Sequence, residues 1–433
     1  MRGSVALIYP YFLTAAKVHL LFQPLGIATL ASQLQEVGVR AVQYDCTFRR
    51  LDAVVDAVLR QRPAIVGIYA MATMSKNALR LLEALRPRLE DALFVAGGPL
   101  PTVYPERFAR RFDVVFRGEA DRVFAAFCTA YLGGAGPQGL GAVLEGARYP
   151  GIYADLDGRV VAAPPVHHSE EVIDALPLPD RRGVDLRPYH EVWERERGYR
   201  AATIMLTRGC PYQCDFCSKP VFGERFRRRK LTRVMEEIDE IRALGYDQLW
   251  IGDDSFTLDN RYLEAFCDAM QARGQGMTWT CLSRVTGIDV ELPRRMREAG
   301  CTRVYLGLES ASDQTLKLMK KKATVADAEA AITRFSRAGV KTAGFFMVGY
   351  PGETAADVER TFAWALRLPL DEISFTVPYP LPGSALFDRV AGVDQENDWE
   401  IENEVKLLFS SEFDAGYLRR RIDETMSAFA ARR

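Results

Sequence analysis

The sequence of 433 residues lacks several features that would assign it to a familiar class of protein. No apolar run reaches the roughly 20 residues that a membrane-spanning helix needs, and no secretory signal peptide opens the chain. The formal net charge is -1, so charge gives no reason to expect nucleic acid or an anionic membrane as a partner. We therefore expect a globular cytoplasmic protein of two or three domains, at roughly 100–200 residues each.

Cysteine is also sparse, and its distribution is uneven. Of eight cysteines, five lie singly, whereas Cys210, Cys214 and Cys217 fall within the stretch "CPYQCDFC". In a reducing compartment, clustered thiols indicate metal or redox chemistry rather than disulfides. Most iron–sulfur clusters take four cysteine ligands. A fourth is missing locally here, so such a cluster would keep one iron open. A structural zinc site is the alternative, but it usually needs two Cys-x2-Cys pairs or histidines, and the chain has only four histidines.

The remaining pattern predicts an α/β protein. Over residues 1–132, five short apolar runs alternate with helical patterns, which predicts a Rossmann-like, doubly wound parallel sheet. Residues 133–199 are predicted to form a linker with a hairpin that turns at Asp157-Gly158. Six further strand–helix units follow over 200–390. Because a full eight-unit barrel takes about 250 residues, we expect a partial (β/α)6 barrel, and then a short helical segment over 391–433.

The cysteine spacing, with the aromatic Phe216 just before Cys217, resembles the signature of the radical S-adenosylmethionine (SAM) enzymes. The resemblance implies a TIM-like partial barrel and a [4Fe-4S] cluster held by Cys210, Cys214 and Cys217. It also implies that the open iron chelates SAM. One electron, from a donor such as flavodoxin or ferredoxin, then cleaves SAM to methionine and a 5'-deoxyadenosyl radical.

The resemblance also implies SAM contacts at the carboxyl ends of the barrel strands. Carboxylates there would pair with the methionyl ammonium or the ribose, and Arg284 would pair with the carboxylate. The expected residues are Phe216, Asp253, Asp254, Ser283, Arg284, Glu309, Ser310, Gly349 and Tyr379. Other readings stay open, namely a helix cap for the aspartates, a surface ion pair for Arg284 and a plain turn at Gly349. Lys320, Lys321 and Lys322 end a predicted helix, where cations suit the helix dipole.

Four segments of residues 1–132 resemble the cobalamin-binding domain that is fused to many radical SAM enzymes. They are "PLGIATLASQLQEVGVRAVQYD", "RPAIVGIYAMAT", "VAGGPLPTVYPE" and "DVVFRGEAD". The resemblance implies cobalamin contacts from Tyr69, Met71, Thr73, Ser75, Gly97, Gly98, Pro99 and Thr102. An ordinary tight turn is the alternative for the two glycines. Many such domains carry Asp-x-His-x-x-Gly after the first strand, but His19 here lacks that context. We therefore expect no histidine ligand to cobalt.

These resemblances imply a cobalamin-dependent methyltransferase that acts on an unactivated carbon of a small or medium metabolite, through the 5'-deoxyadenosyl radical and methylcobalamin. No catalytic side chain is assigned. One alternative uses the same cofactors for cyclisation, ring rearrangement or oxidation, and another, of a different class, is a cobalamin or cluster sensor. A methylthiotransferase would need three more N-terminal cysteines, whereas residues 1–132 contain only Cys46 and Cys128.

Overall fold

The computed structural model describes residues 3–13, 21–135, 139–146, 149–219, 221–274, 276–394 and 404–432. The chain divides into two compact units. The first runs up to Glu196, and the second comprises most of the chain from Arg197 onwards. Both are built from a sheet with helices packed against it, which confirms the predicted α/β class.

The first unit contains a seven-stranded sheet in the order β2-β1-β3-β4-β5-β6-β7. Strands β1 to β5 are parallel, and β5, β6 and β7 pair antiparallel. The bounds are β1 Val5–Tyr9, β2 Ala41–Asp45, β3 Ile65–Tyr69, β4 Leu93–Gly97, β5 Val114–Phe116, β6 Ile152–Leu156 and β7 Arg159–Ala162. The parallel order reverses direction between β1 and β3, and such a switch point opens a ligand cleft at the carboxyl ends of the strands.

Helices cover both faces of this sheet. Alternate residues of each strand point to opposite faces, so Val5 and Leu7 belong to one apolar core and Ala6 and Ile8 to the other. The helices are α1 Leu25–Glu36, α2 Leu51–Gln61, α3 Ser75–Leu85, α4 Pro99–Val103, α5 Pro105–Ala109, α6 Asp121–Ala130, α7 Leu140–Gly146, α8 Glu170–Asp174 and α9 Arg187–Arg197.

The segment predicted as a linker belongs largely to the first unit. Its hairpin turns at Asp157 (φ 53°) and Gly158 (φ 89°), as expected of a two-residue turn with both residues left-handed, and β6 extends the sheet beyond β5. Helix α9 is anchored to the same unit, because Tyr189 donates to Asp45 Oδ2 at 2.6 Å and Trp193 Nε1 donates to the Leu21 carbonyl at 2.8 Å. The unit therefore extends past residue 132.

The second unit contains a parallel six-stranded sheet in the order β15-β14-β13-β12-β11-β8, which confirms the six predicted barrel strands. A two-stranded ribbon, β9 with β10, lies beside it. The bounds are β8 Ala201–Ile204, β9 Thr207–Arg208, β10 Arg227–Arg228, β11 Gln248–Ile251, β12 Thr278–Ser283, β13 Cys301–Glu309, β14 Lys341–Met347 and β15 Glu372–Thr376.

Helices alternate with these strands. They are α10 Leu231–Ala243, α11 Asn260–Ala272, α12 Leu292–Glu298, α13 Asp313–Leu318, α14 Val325–Arg337, α15 Ala355–Arg367, α16 Ala385–Arg389 and α17 Ala415–Ala430. Edge-to-face aromatic contacts join Trp279 on β12 to Phe266 on α11 and to Phe256. Across the described residues, no helix combines the length and apolar character needed to cross a membrane.

Candidate functional site

The cysteine loop follows β8 and β9, at the carboxyl end of the first strand of the second sheet. Cys214 is buried, Cys210 is half-buried and Cys217 is exposed. Lys219 closes the loop, because its Nζ donates to the carbonyls of Cys210 at 3.2 Å and Tyr212 at 2.6 Å. Its own backbone is left-handed, with φ 42°. The loop is therefore tied to itself through one buried ammonium group.

Asp215, the residue after Cys214, anchors the loop to three distant segments. Its carboxylate accepts hydrogen bonds from the Tyr350 hydroxyl and, at 2.9 Å, from Arg389 Nη2. Its backbone N–H donates to the Met319 carbonyl at 3.1 Å, and its carbonyl accepts from Leu386 N at 2.8 Å. Sequence reasoning missed this anchor, because its partners lie more than 100 residues away.

The two aspartates after β11 occupy different environments. Asp253 is fully buried, and its carboxylate accepts from Leu206 N, Thr207 N and Thr207 Oγ1 at 2.6–2.9 Å. Burial raises the pKa of Asp253 to about 7, against the lowering effect of these hydrogen bonds. Asp254 is exposed and accepts a hydrogen bond from the backbone of Gly209. Asp253 therefore holds the chain that leads into the cysteine loop, and Asp254 is the aspartate a ligand can reach.

Arg284, at the end of β12, contacts the cysteine loop directly. Its Nη1 lies 3.5 Å from Cys214 Sγ, and its guanidinium carbon lies 3.6 Å from the centre of the Tyr212 ring. Nη2 donates to the Lys321 carbonyl. The neighbouring Ser283 hydroxyl forms a hydrogen bond with Thr257 Oγ1 at 2.6 Å and another with the Arg284 carbonyl at 2.7 Å. Arg284 is buried, so it is not a surface ion pair.

Glu309 ends β13 with a left-handed backbone, φ 64°, after a register shift against β14. Such bulges redirect a side chain at the end of a strand. Its Oε1 lies 2.5 Å from Lys321 Nζ, and both side chains are buried. This partner was not predicted, because Lys321 lies in a run of lysines at the end of a predicted helix, where cations suit the helix dipole.

Ser310 and Gly349 both donate a hydrogen bond to the carboxylate of Glu353. Its Oε2 accepts from Gly349 N at 2.9 Å and Tyr350 N at 3.1 Å, and its Oε1 accepts from Ser310 Oγ at 3.3 Å. Burial raises the pKa of Glu353 to about 7. Gly349 has φ 80°, and a Cβ there would lie 2.6 Å from Leu418. Tyr379 donates to the Glu404 carbonyl at 2.9 Å. These residues shape the mouth of the sheet, and their SAM contacts remain predictions.

The cysteine loop offers a suitable donor set for an iron–sulfur cluster. Burial raises the pKa of the Cys210 thiol, and the Tyr212 backbone, Lys219 and Arg284 offset part of this effect. Among the described residues, no three His, Cys, Asp or Glu side chains gather around one point as ligands of a single ion. In a [4Fe-4S] cluster each cysteine binds a different iron, so its ligands need not converge on one point. The donors fit the cluster.

In the first unit, the cobalamin-site candidates lie at the carboxyl ends of β3 and β4. Tyr69 ends β3 beside Tyr9 of β1, with ring centres 5.5 Å apart, and its hydroxyl lies 3.9 Å from Met71 Sδ. Within the described chain, the buried Thr73 Oγ1 has no hydrogen-bond partner. Ser75 is buried at the start of α3. An unpartnered hydroxyl at the switch point fits a polar ligand such as the corrin side chains.

The glycine pair after β4 has two different environments. A Cβ on Gly97 would meet nothing closer than 3.9 Å, whereas Gly98 has φ 114° and a Cβ there would lie 2.6 Å from the Ala70 carbonyl. Pro99 begins α4, and Thr102 Oγ1 donates to the Gly98 carbonyl at 2.8 Å. Gly98 is therefore required by the turn, whereas a Cβ at Gly97 would make only an ordinary van der Waals contact with Phe116. His19 lies outside the described residues, and the absence of a histidine ligand to cobalt stays a prediction.

Comparison with known proteins agrees with the division of the chain into two units. Residues 204–365 match the Radical SAM superfamily, and residues 13–128 match the B12 binding domain. The chain is 30% identical over 374 residues to an uncharacterized methyltransferase of Pyrococcus horikoshii. That alignment covers 84% of this chain and 78% of the relative. It is 29% identical over 430 residues to the anaerobic magnesium-protoporphyrin IX monomethyl ester cyclase of Rubrivivax gelatinosus, covering 96% of this chain and 76% of that one.

Its fold also resembles a solved structure. The radical SAM methyltransferase TsrM from Kitasatospora setae, solved with cobalamin and a [4Fe-4S] cluster bound, superposes with a TM-score of 0.72 at 19% identity. The match covers 89% of this chain and 77% of that one.

Proposed function

The chain belongs to the cobalamin-dependent radical SAM methyltransferase family, and we propose that it methylates an unactivated carbon of a small or medium-sized metabolite. The observation that carries this proposal is the meeting of the cysteine loop with the polar ends of two neighbouring barrel strands, β12 and β13. Arg284 touches Cys214, and Lys321 links Glu309 to the same loop. A redox centre and charged ligand groups thus share one mouth.

The resident groups are a [4Fe-4S] cluster, SAM and cobalamin. When bound, they supply one-electron cleavage of SAM to a 5'-deoxyadenosyl radical and a carrier for the transferred methyl group. We propose that Cys210, Cys214 and Cys217 hold the cluster. The cobalamin site comprises Tyr69, Met71, Thr73, Ser75, Gly97, Gly98, Pro99 and Thr102.

The other side chains of the mouth would orient SAM by charge. Asp254 and Glu309 offer carboxylates for an ammonium or a hydroxyl donor, and Arg284 offers a cation for a carboxylate. Phe216, Ser283, Ser310, Gly349 and Tyr379 would complete the site, with Asp253 acting behind them on the backbone. Binding energy of this kind holds reacting groups in one geometry and excludes water from a reactive radical.

Two further points belong to the proposal. A one-electron donor such as flavodoxin or ferredoxin would be the protein partner, because the cluster must be reduced before each cleavage. A cytosolic setting suits the chain, since none of the eight cysteines, all of them within the described residues, is paired in a disulfide and reducing compartments keep thiols reduced.

A second candidate is oxidative ring closure, favoured by the cyclase relative that spans 96% of this chain. One experiment separates the two. Reconstituted enzyme is incubated anaerobically with a reductant, candidate metabolites and SAM bearing a CD3 group. Methylation yields 5'-deoxyadenosine, S-adenosylhomocysteine and a product carrying CD3. Ring closure yields 5'-deoxyadenosine and an unlabelled product, and that result would replace the methyltransferase proposal.

A further inference from the structure

Lys321 occupies a position in the mouth that its place at the end of a helix does not explain. Its Nζ lies 2.5 Å from Glu309 Oε1, with side-chain exposures of 8% and 9%. The same ammonium lies 5.8 Å from the centre of the ring of Phe216, a residue that lies between Cys214 and Cys217 in the sequence. One cation thus connects the carboxylate at the end of β13 to the cysteine loop.

The backbone around this pair is held in disfavoured conformations. Lys320 and Lys322, on either side of Lys321, both have φ 51°, and Glu309 has φ 64°. Left-handed backbone is uncommon for residues with a Cβ, and it persists where surrounding structure fixes it, often at functional sites. Of the six such residues in the described chain, these three and Lys219 lie at the cysteine loop or at the ion pair. The local fold therefore directs Lys321 inward.

The strand beneath the pair leaves room for it. A Cβ at Gly307 would lie 2.6 Å from Lys321 Nζ and 2.8 Å from Glu309 Oε1. The two charged groups therefore lie across the bare backbone of Gly307, and any larger residue there would displace the lysine. In the described part of the chain, Lys321 is the only side chain that pairs with the Glu309 carboxylate.

We propose that Lys321 is a positioning residue for SAM binding. It holds Oε1 of Glu309, and so leaves the second carboxylate oxygen for a donor group of SAM. A buried ion pair with one partner removed is strongly unfavourable, so loss of Lys321 would leave the Glu309 carboxylate uncompensated and free to move out of position. The inference rests on the proposed function only in placing SAM at this mouth. It does not depend on which reaction follows.

The test is a double-mutant cycle on the cluster-loaded protein. SAM dissociation constants are measured anaerobically by calorimetry for Lys321→Met, Glu309→Gln and the double variant, with iron content determined for each. Both single variants should raise the dissociation constant about tenfold, and the double variant should bind like Glu309→Gln alone, because residues that act as one unit are not additive. Lys321→Arg should restore binding to within about threefold of wild type, since it keeps the charge.

Two further variants make the result specific. Lys322→Met removes the same charge from an exposed neighbour and should change the dissociation constant less than about twofold. Gly307→Ala displaces the lysine without removing it and should weaken SAM binding like Lys321→Met. If Lys321→Met fails to load iron, Gly307→Ala still tests the proposal. Additive effects in the cycle would show that Lys321 contacts SAM itself and would overturn the proposal, as would wild-type binding by loaded Lys321→Met. Normal SAM binding without methyl transfer by the wild type would contradict the proposed function alone.

Discussion

The guanidinium group of Arg284 donates a hydrogen bond to the sulfur of Cys214, with Nη1 and Sγ 3.5 Å apart. The Tyr212 ring covers the same group, and the Lys321 carbonyl accepts from its second nitrogen. The cation is therefore fixed beside Cys214, a proposed cluster ligand, by three independent contacts. Hydrogen bonds and charges at the sulfur ligands tune the reduction potential of iron–sulfur clusters, which gives Arg284 a consequence that can be measured without turnover.

Arg284→Met should make the [4Fe-4S] couple harder to reduce. A contact that stabilises the reduced cluster by about 1.4 kcal/mol more than the oxidised cluster shifts the potential by about 60 mV for one electron, so its loss moves the couple to more negative potential. A redox titration followed by electron paramagnetic resonance measures the midpoint. Arg284→Lys keeps the charge and should shift it less. An unchanged potential in the methionine variant would mean that the contact to Cys214 does not persist in the loaded protein.

The triple variant Cys210→Ala, Cys214→Ala, Cys217→Ala should contain no [4Fe-4S] cluster, because the loop supplies all three protein ligands in our proposal. Iron and sulfide analysis after anaerobic reconstitution measures this. Cys267→Ala, which removes a buried thiol elsewhere, should retain the cluster. A full complement of iron and sulfide in the triple variant would assign the cluster to other ligands.

The sheet strands were predictable from the sequence because each is a short apolar run bounded by glycine, proline or charge. Their carboxyl ends then placed Asp254, Arg284 and Glu309 at one edge. The ribbon of β9 and β10 was not predictable, since two residues per strand carry no periodicity. Helix α9 read as linker because its hold on the first sheet comes through Tyr189 and Trp193, whose partners are more than 140 residues distant.

The environment of each site residue was also beyond the sequence. Asp253 and Asp254 are identical and adjacent, yet only the fold turns one toward Leu206 and Thr207 and the other toward Gly209. Lys321 was missed because a run of three lysines at a helix end suits the helix dipole. In the structure its side chain is buried, and left-handed backbone at Lys320 and Lys322 flanks it.

Replacing the two aspartates should separate fold from binding. Asp253→Asn places an amide where the carboxylate accepts three hydrogen bonds, and the unmet donors should cost about 1–3 kcal/mol of unfolding free energy. Asp254→Asn should change that free energy by less than about 0.5 kcal/mol, because the side chain is exposed. It should nevertheless raise the dissociation constant for SAM. Urea denaturation and calorimetry measure the two quantities. The reverse pattern would assign the ligand contact to Asp253.

Glu353 should make stability depend on pH. Burial raises its pKa from 4.5 to about 7, so the folded state keeps its proton where the unfolded chain has lost it. The resulting stabilisation is fully present below pH 4.5 and is lost as pH rises toward 7, by up to about 3 kcal/mol. Asp253 acts in the same direction. In urea denaturation at pH 5 and pH 8, Glu353→Gln should lose less stability over this interval than wild type. Equal losses would mean that Glu353 titrates normally.

Gly97 and Gly98 offer the sharpest test of cobalamin in the first unit, because the protein alone explains only one of them. At Gly98, φ 114° and a contact of 2.6 Å between a new Cβ and the Ala70 carbonyl forbid alanine, so Gly98→Ala should destabilise the unit by more than about 1 kcal/mol. At Gly97 a Cβ would lie 3.9 Å from Phe116, an ordinary van der Waals contact, and alanine should leave the thermal midpoint within about 2 °C of wild type. If a corrin approaches this backbone closely, the same methyl group should weaken hydroxocobalamin binding at least about tenfold, a loss of about 1.4 kcal/mol.

Titration followed by visible absorbance measures the affinity. A stable Gly97→Ala protein with wild-type affinity would place cobalamin away from this strand end, and the glycine would then be an accident of a tight turn.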